Sequence, residues 1–569
     1  MKKRIVSLIL TVALLMSAAC SALADSYSAT SRGFGGDVTV TLTVEGDQLT
    51  DVKAEGADET AGIGSVALEE LPRKMLEMNS VEVDGVTGAT FTSDAVLAAA
   101  AQALSQSGAK LAVKEAVEKA VYEDTYADVV VVGGGITGMS AAIAVANAGK
   151  SVIVLEKTDV LGGAATTSHS SVWAVGSELT KDKYDFTVDE IYEFFNKQAG
   201  PVYNKDVFYA LANESYNTLH FLMDNGVVFE EVSQCNPQAD PRFWCSASVG
   251  FGAGMIASLS DSYKSKSIDT RMATAAVSLL QDESGAVTGV VAECDGQQYQ
   301  ISAKKVILAT GGIGQNPEMC KEYVPGYENL VMNRTVAGDT GDGHTMGVAA
   351  GGYLVGSGSM GVGTHATNMA HSTCGNGLLV NVEGKQVGAA NEHYTKLYVL
   401  VNESSNGKLY SIFPSDIALY SPAGSVEQME KNYQNGELYK ADTVEELADL
   451  LGIDKEALME TVKLHNEQCA AGESDGFNTP VNEMVPIVNG PFYVDVHQSG
   501  MIGTITGLAV DASMKVLRED GTAVENLYAA GELIYGNWFQ GGYPMSGTGL
   551  GGCVSSGRIA AADAVTGLD

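Results

Sequence analysis

Apolar and polar residues alternate over residues 37–44, "DVTVTLTV". This period of two predicts a half-buried strand, and with the following "QLTDVKAEG" it predicts a hairpin or meander. The spacing becomes helical in "SVALEELPRKMLEMN". "SVEVDGVTGAT" and then "SDAVLAAAAQALSQ" predict strand, turn and helix. Together these make a small α+β module over residues 25–108. Residues 109–127, rich in Ala, Lys and Glu, predict a helical linker.

The pattern changes at residue 128. "DVVVVGGGITGMSAAIAVANAGKSVIVLEK" reads as a buried strand, a glycine turn, a helix and a second buried strand. Another strand is predicted at "KKVILATGGIGQN". Residues 351–480 are more polar and contain the helical stretch "TVEELADLLGIDKEALMETVKLHNEQ". The chain returns with "NLYAAGELIYG", a glycine-dense tail and the helix-like "GRIAAADAV". The expected fold class is therefore α/β. A Rossmann-like domain is split into 128–350 and 481–569, with an α+β capping domain inserted at 351–480.

Composition adds three restrictions. A net charge of −36 makes nucleic acid a poor partner. The start, "MKKRIVSLILTVALLMSAACSALA", has a basic end, an apolar run too short to be a good spanning helix, and Ala22-Leu23-Ala24. That is the pattern of a secretory signal over residues 1–24 and an extracytoplasmic location. Cleavage before a lipidated Cys20 is the rival, although Ser17-Ala18-Ala19 lacks the usual Leu. The eight cysteines include no C-x-x-C spacing, so the sequence offers no haem attachment motif and no ferredoxin-like run.

The chemistry begins at Gly133-x-Gly135-x-x-Gly138. The motif follows a buried strand and opens a helix, and Glu156 ends the next strand. Such glycines let the backbone approach a pyrophosphate at a helix N-terminus, and the acid accepts from ribose hydroxyls. Pattern alone leaves FAD and NAD both open.

Further segments narrow this. Gly162-Gly163, Thr310-Gly311-Gly312 and Gly531-Glu532 stand at strand ends far apart in sequence. Together with the first motif they resemble the fumarate reductase/succinate dehydrogenase flavoprotein superfamily over residues 128–569. The resemblance implies non-covalent FAD. It implies contacts from Gly133, Gly135, Gly138, Glu156, Lys157, Gly162, Gly163, Ala164, Thr310, Gly311, Gly312, Gly531, Glu532, Gly549 and Leu550.

Asp84-Gly85-x-Thr87-Gly88-Ala89-Thr90 resembles the flavinylation motif of FMN-binding domains, as do "GFGGDVTVTLTVEGDQLTDV" and "ETAGIGSVALEELP". The resemblance implies FMN esterified to Thr90 by an FMN transferase, with Thr92 as the fallback. The bland reading of Thr90 is a helix cap. A membrane or extracellular donor would pass electrons to FMN, then FAD, then substrate.

On the substrate side the chain departs from the soluble fumarate reductases. Tyr394 stands where that family's proton-donating arginine falls, and Gly549 where a carboxylate-binding arginine falls. Gly503 replaces a substrate histidine, and Ala370-His371 replace a Thr-Glu pair. Tyr543-Pro544-Met545-Ser546-Gly547 instead resembles the Tyr-Pro-Gly-Ala-Gly of flavin-dependent 3-ketosteroid dehydrogenases, as does "GTITG". That resemblance implies a carbonyl clamp from Tyr543 and Gly547 and a proton from Tyr394, with His393 as the alternative acid. His365 matches a family substrate histidine. Trp173, Trp244, Trp538 and Phe539 are candidates for an apolar pocket or for the core.

The expected activity is reduction of a C=C bond conjugated to a carbonyl, as in an enone, including steroid-like ones. An α,β-unsaturated carboxylate such as urocanate, acrylate or fumarate is the alternative. A non-catalytic flavin electron carrier is the reading from another class.

Overall fold

The computed structural model describes residues 25–59, 64–86, 89–111, 123–235, 240, 242–364, 377–390, 392, 394–415, 426–539 and 542–568. The signal-like start and Cys20 lie outside these residues, as do most of the expected linker and His365, His371 and His393. Internal contacts divide the chain into two units, one ahead of residue 122 and one from there onward.

The first unit is a three-stranded antiparallel sheet carrying two helices. Its strands are β1 (Asp25–Arg32), β2 (Asp37–Glu45) and β3 (Gln48–Glu55), in the order β1-β2-β3. The alternation seen in β2 has a direct outcome: Val38, Val40, Leu42 and Val44 all turn inward and are buried. Each such side chain contributes about 1.5–3 kcal/mol on burial. Helices α1 (Gly64–Met78) and α2 (Thr90–Ser107) follow. Residues 82–86 do not join the sheet, contrary to the strand expected there; the Val86 N–H donates to Ser93 Oγ at 3.0 Å instead. The sheet's additional strand is β1, whose "DSYSATSR" has no apolar alternation to announce it.

The second unit is built on an eight-stranded sheet. Strand β4 (Thr125–Val132) leads through the glycine turn to α3 (Ile136–Asn147) and to β5 (Val152–Leu155). Beside them lie β6 (Asp269–Arg271), β7 (Thr274–Gln281), β8 (Val287–Cys294) and β9 (Gln297–Leu308), in the order β7-β8-β9-β4-β5-β6. The β9–β4–β5–β6 ladder is parallel. Parallel strands are covered on both faces, which is why β4 and β5 read as apolar runs. The return segment adds a parallel strand to β9, from Ala523 to Ala529, and then helix α4 (Thr548–Val565), which packs on α3.

A separate mixed sheet draws strands both from the segment expected as the cap, 351–480, and from the return segment. Its long strand, Phe492–Thr504, pairs with Ser359–Thr364, Leu409–Pro414 and Tyr439–Ala441. The predicted helical stretch is two helices, Val444–Leu451 and Lys455–Ala471, broken at Gly452, which takes a φ of 68°. No helix among the described residues is long and apolar enough to cross a membrane.

Candidate functional site

The three glycines of the motif are there for different reasons. A Cβ on Gly138 would sit 1.8 Å from the Gly133 carbonyl oxygen, and one on Gly133 would sit 2.2 Å from the Ala309 carbonyl oxygen. Those two positions are closed by the fold itself. At Gly135 the nearest protein atom would be 3.9 Å away, the Gly162 carbonyl oxygen. The space in front of Gly135 is open, at the N-terminus of a twelve-residue helix with no acid in its first turn. Bare N–H groups and the positive end of the helix dipole suit a pyrophosphate there.

The surrounding segments converge on this turn. Gly162 donates its N–H to the Gly134 carbonyl at 2.9 Å, and a Cβ on Gly163 would stand 3.3 Å from Gly135 Cα, so this pair lies against the turn, with Ala164 next in the chain. Glu156 accepts from the Gly134 N–H at 2.8 Å and from the Thr158 N–H and hydroxyl. Lys157 is held by Asp342 at 2.7 Å and by Thr340. Thr310-Gly311-Gly312 leaves the end of β9, and the buried Thr310 hydroxyl has no partner among the described residues. An orphaned buried hydroxyl beside an open glycine turn fits a polar ligand such as FAD.

Gly531 takes a φ of 79° against Thr137, and its N–H donates to Ser556 Oγ at 2.9 Å. Glu532 is buried and accepts from the Thr504 N–H at 2.7 Å and the Thr504 hydroxyl at 2.9 Å. Burial raises the pKa of Glu532, and the charge of Asp339 raises it further. Asp339 is itself raised, chiefly by burial.

The substrate-side residues meet at the start of α4. Gly547 is the N-cap, with a φ of 89°. A Cβ there would stand 3.0 Å from both Cys245 Cβ and the Trp173 nitrogen, so the helix start is pressed against its neighbours. Gly549 donates its N–H to the Tyr543 hydroxyl at 3.4 Å, and Leu550 is half-buried in the next position. Burial pushes the Tyr543 hydroxyl far above the usual tyrosine range, so it stays protonated and can act as a donor.

Two residues that the sequence reading missed complete this wall. A Cβ on Gly549 would meet Tyr535 Oη at 3.1 Å, Met360 Cε at 3.3 Å and Tyr543 Cε2 at 3.5 Å. A Cβ on Gly503 would meet Met360 Sδ at 3.0 Å. One thioether therefore lies against Gly549 and Gly503, two of the three positions at which this chain departs from a cationic side chain, and both Glu532 carboxylate oxygens stand 3.4 Å from the Gly503 Cβ point. Tyr535 is buried, with its hydroxyl 3.2 Å from Cys553 Sγ. Neither residue had a signal: Met360 sits in a glycine-rich run, and Tyr535 falls inside a motif read only for the flavin.

Trp173, Trp538 and Phe539 are core residues, fully buried, and Trp538 stacks on Phe539 at 4.1 Å. Trp244 is half-buried under Lys183. Tyr394 opens the helix Tyr394–Glu403, and its side chain lies outside the described part.

In the first unit, the N-cap of α2 is Ala89, with no side-chain cap and no acid in the first turn. Thr90 follows it and is exposed, so it is not the cap. Thr92 is buried and donates its hydroxyl to Glu59, which occupies the fallback position.

The FAD binding domain family matches residues 128–550, and the FMN-binding domain family matches residues 33–105. The chain is 29% identical over 575 residues to the urocanate reductase of Eggerthella lenta, covering 95% of this chain and 92% of that one. It is 27% identical to the fumarate reductase (cytochrome) of Shewanella frigidimarina, covering 77% and 76%. In fold it is similar to the 3-ketosteroid-Δ4-(5α)-dehydrogenase of Rhodococcus jostii RHA1, with a TM-score of 0.66, 22% identity, and coverage of 79% and 98%. The chain belongs to the FAD binding domain family, carries an FMN-binding domain ahead of it, and is a flavin-dependent oxidoreductase with FAD and FMN as its cofactors.

Proposed function

We propose that this chain reduces a C=C bond conjugated to a neutral carbonyl, and that it does so outside the cytoplasm. The observation that carries the reading is the wall at Gly549. It is made of the Tyr535 and Tyr543 side chains and the Met360 thioether, where a dicarboxylate would need cations. The signal-like N-terminus supports the location.

FAD, when bound at the Gly133–Gly138 turn, supplies the hydride for the β-carbon. The chain's part is to answer the charge that builds on the carbonyl oxygen. Tyr543 and the Gly547 N–H serve as its hydrogen-bond donors, and one such preorganised donor is worth about 10²–10³-fold in rate. Tyr394 gives the proton to the α-carbon, worth about 10²–10⁴-fold. Hydride plus proton closes the balance of the reduction.

FMN enters through Thr90. A transferase moves the flavin mononucleotidyl group of FAD onto the Thr90 hydroxyl. An Oγ–P ester forms, the pyrophosphate bond breaks, AMP leaves, and the hydroxyl proton goes to a base of the transferase. An exposed hydroxyl at the first position of an uncapped, eighteen-residue helix supports this assignment. A phosphodiester there supplies the anion that the helix end lacks. An exported or membrane protein delivers the electrons.

The second reading, an α,β-unsaturated carboxylate as substrate, is favoured by the similarity to a urocanate reductase along nearly the whole chain. The test is to co-express the chain with an FMN transferase and follow anaerobic oxidation of reduced viologen. The panel holds 3-keto-Δ-enones, simple enones, urocanate, cinnamate and fumarate. Turnover of enones that collapses in Tyr543→Phe supports the proposal, and turnover of carboxylates alone overturns it.

A further inference from the structure

Two aromatic side chains in the first unit are largely exposed. Phe34 is 62% exposed and Phe91 69%, and no large apolar side chain among the described residues is more exposed. Their ring centroids are 6.0 Å apart with planes inclined at 45°, so they form one continuous aromatic surface. Phe91 directly follows Thr90.

The two rings come from distant parts of the chain, and a single carboxylate sets both. Glu59 Oε1 accepts from the Gly35 N–H at 2.9 Å and the Gly36 N–H at 3.2 Å, which fixes the loop that carries Phe34. Glu59 Oε2 accepts the Thr92 hydroxyl, which fixes the start of α2 and with it Phe91. The loop is closed tightly around this carboxylate. A Cβ on Gly33 would stand 2.3 Å from Glu59 Oε1, and one on Gly35 would stand 1.7 Å from the Asp58 carbonyl oxygen. Burial opposes ionisation of Glu59, but the Thr92 hydroxyl, the two glycine N–H groups and Arg32 outweigh it and keep its pKa below the usual range.

The two rings touch each other but neither is buried, so core packing does not account for their being held at the surface. We infer that Phe34 and Phe91 are the platform for the isoalloxazine ring of the FMN carried on Thr90, with Glu59 as the positioning residue that aligns them. The inference rests on the Thr90 assignment. A planar, largely apolar tricycle tethered one residue from Phe91 covers both rings, and aromatic contact adds to the gain from the buried area. Seating the ring gives the flavin a defined position in place of free swinging on its tether.

The test uses the full chain loaded by an FMN transferase, with intact mass reporting attachment and a Thr90→Ala chain giving the FAD-only emission to subtract. Iodide quenching of the remaining FMN emission reads how far the ring is shielded. Phe34→Ala, remote in sequence from the acceptor threonine, is expected to raise the quenching constant severalfold toward that of free FMN. Phe34→Trp is expected to abolish most of the emission, because a stacked indole quenches a flavin. A loaded chain whose quenching is unchanged in Phe34→Ala, or whose emission is unchanged in Phe34→Trp, overturns the platform alone. A chain with no added mass at Thr90 overturns the assignment on which it rests, and the platform with it.

Discussion

The Tyr535 hydroxyl oxygen lies 3.1 Å from the point where a Cβ on Gly549 would stand. The place that a longer side chain at residue 549 would take is thus already filled, by a tyrosine that burial keeps protonated well above the usual range. Gly549→Arg is therefore expected to lose enone turnover without gaining fumarate turnover. Tyr535→Phe removes only a hydroxyl and is expected to preserve the fold. Paired steady-state assays on an enone and on fumarate check this, and fumarate activity in Gly549→Arg would contradict it.

The glycine turn separates a folding role from a binding role. Gly138→Ala forces a Cβ onto the Gly133 carbonyl and is expected to lower the melting temperature even without FAD. Gly135→Ala meets no protein atom closer than 3.9 Å, so the fold should survive while FAD affinity falls at least tenfold. Thermal melts of the apo chains and FAD titrations separate the two effects.

Thr90 and Thr92 divide in the same way. Thr90→Val is expected to abolish covalent FMN and leave stability unchanged, because the side chain is exposed. Thr92→Val strips a buried carboxylate of its hydroxyl donor and is expected to cost about 1–3 kcal/mol. Intact mass after co-expression with the transferase, beside denaturant unfolding of each variant, decides both.

Glu532 imposes a pH dependence. Its folded pKa is raised by burial and by Asp339, so the folded chain keeps a proton that the unfolded chain releases near its ordinary value of about 4.3. Stability from this group is full below that value and is lost as pH rises toward the raised one. Glu532→Gln removes the penalty, so its gain in melting temperature over the natural chain should be larger at pH 8 than at pH 5. Scanning calorimetry at both values tests the sign.

Much of the scaffold was legible because its signals are local. The buried run of β4, the turn at Gly133–Gly138 and the alternation of β2 each follow from steric or periodic rules that need no tertiary context. The strand expected before Thr90 is absent because local bonding competes with a ladder there: the Val86 N–H donates to Ser93 Oγ at 3.0 Å. The site wall was hidden for a different reason. Met360, Gly503, Tyr535 and Gly549 come from separate segments, and only the fold brings them together. The motif put Thr90 ahead of Thr92, but the burial of Thr92 against Glu59 is a difference that only the fold shows.

The most direct test of a neutral-carbonyl site uses two substrates with one skeleton, 4-phenylbut-3-en-2-one and cinnamate. They differ only in a methyl ketone against a carboxylate. kcat/KM for each is measured anaerobically with reduced viologen and the fully flavinylated chain. The account predicts at least a tenfold preference for the ketone, lost when Tyr543 becomes Phe. A preference for cinnamate would contradict it and would mean that a cation outside the wall described here holds the substrate.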